Sequence, residues 1–73
     1  MIRCKTNKQC PKGDFCAKPD GKCEDEGLCV KRPVICTALE VNPVCGCNGK
    51  DYSNRCEAFR AGTAIKHTGK CEK

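Results

Sequence analysis

Ten cysteines are the residues most able to do chemistry in this 73-residue chain. They stand at Cys4, Cys10, Cys16, Cys23, Cys29, Cys36, Cys45, Cys47, Cys56 and Cys71. Thiols at this density serve either metal ligation or disulfide formation. Structural zinc favours cysteine pairs separated by about two to four residues, with histidine partners. The tightest pair here, Cys45-Gly46-Cys47, is closer than that, and His67 is the sole histidine. Disulfides are therefore expected, with no metal and no cofactor. With every thiol bridged, His67 has no nucleophile to serve as a base. It is expected on a strand or loop surface, and the chain is not expected to be an enzyme.

Those bridges have to replace a missing core. Only Phe15, Phe59 and Tyr52 are aromatic, and a core this small rarely supplies more than about 3–5 kcal/mol. Disulfides persist in oxidising compartments, so the protein is expected to be secreted and extracellular, or periplasmic if bacterial. No apolar run is long enough for a signal peptide or a membrane span, so the sequence reads as a mature chain with Met1 an added start residue. The net charge is +5, with basic residues scattered among acidic ones. A nucleic-acid surface would gather them into a stripe, and membrane anchoring would also need a cluster. Neither partner is expected. No amphipathic stripe supports a membrane-active toxin.

The elements that position the cysteines fall into two modules. Residues 4–23 place Cys4, Cys10, Cys16 and Cys23 at near-even intervals among polar, turn-forming residues. Asp20-Gly21 is a hairpin signal within them. Alternate pairing, Cys4–Cys16 and Cys10–Cys23, is the expectation, one of three connectivities between which sequence does not choose. The acidic run Glu24-Asp25-Glu26-Gly27 reads as a flexible break, which divides the chain into a cysteine-rich module (1–28) and a second domain (29–73). In the latter, Asn48-Gly49 predicts a hairpin of Val44–Cys47 with Lys50–Tyr52. Asn54 and Glu57 suit a capping box, opening a helix over 55–61 that Gly62 stops. Residues 63–67 predict a third strand. The fold class is small, disulfide-rich α+β: one helix across a short three-stranded sheet, preceded by a cysteine-rich hairpin.

The run Pro43-Val44-Cys45-Gly46, then Asn48-Gly49-Lys50-Asp51-Tyr52-Ser53-Asn54-Arg55-Cys56, closing at Gly69-Lys70-Cys71, resembles a Kazal-type serine protease inhibitor domain over about residues 29–73. The family's usual helical cysteine is absent, with Phe59 in its place, and Cys47 is extra, as in the Cys-Gly-Cys variant. The resemblance implies bridges Cys29–Cys47, Cys36–Cys56 and Cys45–Cys71. It also implies a reactive-site loop of Thr37, Ala38, Leu39, Glu40 and Val41, supported by Asn54, Cys36 and Cys56. Its expected partner is a serine protease, bound by a monomeric inhibitor. Asn54 would brace the loop carbonyls, and Tyr52 would pack internally. Such loops commonly hold seven residues between the cysteines matching Cys36 and Cys45, whereas this one holds eight.

Counted forward from Cys36, Ala38 fills the protease's specificity pocket and Ala38–Leu39 is the target bond. Counted back from Cys45, Leu39 fills it and the bond is Leu39–Glu40. Either residue suits an elastase-like or subtilisin-like enzyme. A trypsin pocket would be left with an unpaired buried carboxylate. Lys31-Arg32 reads as a solvated pair, since Pro33 would resist cleavage there. The two-part layout also resembles follistatin modules, which implies a second reading: extracellular binding without protease inhibition.

Overall fold

A computed structural model of the chain describes residues 2–36 and 41–71. Two small antiparallel sheets and one helix form its framework among the described residues. The first lobe contains β1 (Arg3–Cys4), a 3₁₀ turn (Asn7–Gln9), β2 (Asp14–Ala17) and β3 (Gly27–Lys31). Its strand order is β1-β3-β2. The last strand in sequence is therefore the central one, with Cys29 opposite Cys16 and Val30 opposite Phe15.

That central strand corrects two of the expected disulfides. The structure pairs Cys10 with Cys29, and Cys23 with Cys47, in place of Cys10–Cys23 and Cys29–Cys47. Cys29 belongs to the first sheet, where β3 brings it beside Cys10. Cys23 lies in the connection from β2 to β3 and reaches the second lobe. The remaining bridges are Cys4–Cys16, Cys36–Cys56 and Cys45–Cys71. The acidic run does not act as a flexible break: Gly27 is already in β3, so a division between residues 28 and 29 cuts through the strand. Asp20-Gly21 turns within the long β2–β3 connection instead of closing a tight hairpin. The first module is a three-stranded sheet where a hairpin was expected.

The second lobe carries β4 (Val44–Gly46), β5 (Asp51–Tyr52), α1 (Arg55–Arg60) and β6 (Ile65–Thr68), with strand order β5-β4-β6. Asn48-Gly49 forms the turn between β4 and β5, Gly49 taking a φ of 83° that favours glycine. At the start of α1, Asn54 Oδ1 accepts the Glu57 N–H at 2.9 Å. At its end, the Gly62 N–H donates to the Phe59 carbonyl and the Thr63 N–H to that of Ala58, closing the helix through a left-handed glycine. The helix lays Ala58 on Val44 and Ile65, with Tyr52 and Phe59 packed around them. Beyond it, Thr63 and Ala64 are buried, and regular pairing resumes at Ile65.

The two lobes share contacts that neither could satisfy alone. The Phe15 and Phe59 rings stack with centroids 5.4 Å apart, so Phe59, which stands where the family has a cysteine, packs against the first lobe. The Gly21 N–H donates to the Ile65 carbonyl at 3.0 Å. Asn7 bridges both sides: its Oδ1 accepts the Cys16 N–H at 2.8 Å and its Nδ2 donates to the Gly62 carbonyl at 2.6 Å. Arg32 is half-buried, correcting its place in a solvated pair. Its guanidinium lies over Gly62, where an added Cβ would come within 2.6 Å of Cζ. Replacing Asn7 with alanine strips both hydrogen bonds from the seam and is expected to cost about 1–2 kcal/mol, measurable by denaturant unfolding.

Candidate functional site

The segment between Cys36 and Cys45 is anchored at both ends. Thr37, Ala38, Leu39 and Glu40 lie outside the described residues, so the site is built from what flanks them. On the leading side, Cys36 is bonded to Cys56 in the first turn of α1. On the trailing side, the Asn42 N–H donates to the Ser53 carbonyl at 2.8 Å. The Pro43 carbonyl accepts the Gly69 N–H at 2.7 Å. Val44 and Cys45 then enter the buried central strand, and Cys45 is bonded to Cys71. The Cys71 N–H donates to Asp51 Oδ1 at 2.6 Å, which fixes that last anchor against β5.

Apolar side chains just before this segment and within it face solvent. Val34 and Ile35 precede it with 79% and 82% exposure, and Val41, within it, is 78% exposed. These three are the most exposed large apolar residues among those described. No periodicity in the sequence singled them out. Their signal was position alone, two just before the first of the bridged cysteines that bound the segment and one between them.

The supporting residues converge on the helix N-terminus. Asn54 caps α1, and Cys56 two residues later holds Cys36. Between them, Arg55 extends to Asp20 of the first lobe. Its guanidinium nitrogens donate to both carboxylate oxygens, at 2.9 and 2.5 Å. The hydrogen bond from Arg55, reinforced by its charge, holds the Asp20 carboxyl below its ordinary range, and Asp20 in turn raises Arg55. Tyr52 packs against the core cluster with its hydroxyl accepting a hydrogen bond from Asn48 Nδ2 at 2.8 Å. His67 is half-buried in β6, its Nδ1 2.8 Å from the Thr68 carbonyl oxygen. All ten cysteines are consumed in bridges, so the site offers shape and hydrogen bonds but no thiol nucleophile.

A helix lying on a three-stranded sheet, with a doubly anchored segment entering the central strand, describes a class of small inhibitor domains. Residues 31–71 match the family of the Kazal-type serine protease inhibitor domain, and the chain belongs to it. The chain is also 32% identical over 71 residues to the "Reversion-inducing cysteine-rich protein with Kazal motifs" of Gallus gallus. That match covers 94% of this chain and 7% of the relative, so the chain spans a small part of that protein's length. No solved structure matches the chain significantly. Among the described residues, no helix is long and apolar enough to cross a membrane.

Proposed function

We propose that the chain inhibits a serine protease by presenting the segment from Thr37 to Val41 as a substrate-like loop. The observation that carries this reading is the double anchoring of the segment, with Val34 and Ile35 exposed ahead of it and Val41 exposed within it. A protease binds an extended peptide and attacks one carbonyl, stabilising the oxyanion that forms. A loop held in the bound shape loses little conformational freedom on docking. When its two halves stay fixed after cleavage, the bond can be remade. In this reading Asn54 braces the loop, a role supported by its place two residues before Cys56, which is bonded to Cys36.

Ala38 or Leu39 would occupy the specificity pocket, which favours elastase-like or subtilisin-like enzymes over trypsin. The apolar flanks agree with that preference, because they suit an apolar cleft better than a charged one. The protein acts outside the cytoplasm in this reading, where its five bridges persist.

The test is an inhibition series against elastase, subtilisin, chymotrypsin and trypsin, using the parent chain and the variants Ala38→Lys and Leu39→Lys. Lysine at the true pocket residue transfers inhibition to trypsin and removes it from elastase, a change of at least about 100-fold on each side. Lysine at the neighbouring position gives no such transfer. If the parent chain inhibits none of the four below micromolar concentration, the inhibitor reading fails. The eight-residue spacing between Cys36 and Cys45 would then favour a follistatin-like binding module.

A further inference from the structure

We propose that the first lobe is a working part of the inhibitor, with Asp20 a positioning residue for the reactive loop. This rests on the inhibitory reading above and assigns the loop a support that lies outside its own domain.

Helix α1 has six residues, too few to hold its shape or place by helix formation alone. Its position is set by what its side chains touch. Three successive residues at its start perform different tasks: Asn54 caps the helix, Arg55 reaches Asp20, and Cys56 clamps Cys36 at the mouth of the loop. Any rotation or slide of this turn moves the loop's leading anchor with it. The Asp20–Arg55 fork opposes such movement because two parallel hydrogen bonds fix orientation as well as distance.

Asp20 is itself held. The next residue, Gly21, donates its N–H to the Ile65 carbonyl, which ties the turn to β6. Cys23, two residues further on, is bonded to Cys47. The carboxylate thus reaches Arg55 from a turn fastened on both lobes. Both side chains are about half exposed, 47% for Arg55 and 46% for Asp20. An exposed pair adds little to global stability, so its loss leaves the fold standing while loosening the turn that carries the loop's anchor.

The experiment compares four chains: the parent, Asp20→Ala, Asp25→Ala as a charge-matched control in the same lobe, and the charge swap Asp20→Arg with Arg55→Asp. Three quantities are read for each. They are the inhibition constant against the susceptible protease, the rate at which subtilisin cuts between residues 36 and 45, and the thermal midpoint. Asp20→Ala is expected to weaken inhibition about three- to fivefold, the ceiling for an exposed ion pair. It should speed cutting within the loop by a similar factor, with the midpoint moved by only a few degrees. Asp25→Ala matches the parent, and the charge swap recovers most of the loss.

If Asp20→Ala behaves like Asp25→Ala in both inhibition and loop cutting, the positioning role is overturned while the inhibitory reading stands. If the parent chain inhibits no protease, that reading falls instead, and loop cutting alone decides whether Asp20 positions the segment. A variant that loses inhibition together with a large drop in midpoint, unrepaired by the swap, assigns Asp20 to general stability and also overturns the proposal.

Discussion

Converting Cys23 and Cys47 together to serine is expected to lower stability by about 2–4 kcal/mol and, on the proposed inhibitory function, to weaken inhibition as well. The bridge joins the β2–β3 connection of the first lobe to the residue following β4 in the second. Without it, the lobes are held by the Phe15–Phe59 stack, the Asp20–Arg55 pair and a few hydrogen bonds. Denaturant unfolding of the oxidised proteins reads the stability change. The same bridge forecasts the behaviour of a chain cut down to residues 29–73. Such a fragment leaves Cys29 and Cys47 without Cys10 and Cys23, and it exposes Phe59. It should pair its thiols heterogeneously, visible as several peaks on reversed-phase chromatography after oxidative folding. A single well-folded product would overturn the dependence of the second lobe on the first.

Phe15→Ala should cost about 3–5 kcal/mol, the range for emptying a buried aromatic site. Phe15 is 2% exposed and is the largest of the fully buried side chains described. It stands on β2 and faces Val30 across the sheet and Phe59 across the seam. Phe59→Ala costs less, because that ring is only partly buried. In a double-mutant cycle the two changes are expected to couple by about 0.5–1.5 kcal/mol. Strict additivity would mean that the rings touch without supporting each other.

Much of the second lobe was legible because its signals are local. Asn48-Gly49 predicts a tight turn from the backbone freedom of glycine, and the structure places Gly49 at positive φ there. Asn54 and Gly62 mark where α1 starts and ends, the structure stopping it at Arg60 with Ala61 as the cap. The first lobe was harder to read because its organisation is not local. Residues 27–31 lack the alternation of a half-buried strand, yet they form the centre of a sheet. The acidic residues before them looked like a linker and instead belong to the connection that carries Cys23 across. Cysteine spacing could not reveal this, since a bridge records proximity in space between residues far apart in the chain. One signal was available: Phe59 in place of a cysteine left that site needing an apolar partner, and Phe15 was the other phenylalanine in the chain.

The five bridges overlap end to end along the sequence: 4–16, 10–29, 23–47, 36–56 and 45–71. Every peptide bond from Cys4 to Cys71 is therefore enclosed by at least one crosslink. A single backbone cut anywhere in that span, including the one a target protease would make, yields no separable fragment. The nicked molecule keeps its mass plus one water and divides only under reducing conditions. In the proposed inhibitory role one cleavage would remove no part of the molecule, and the enzyme would be left holding both halves of a product that cannot diffuse apart.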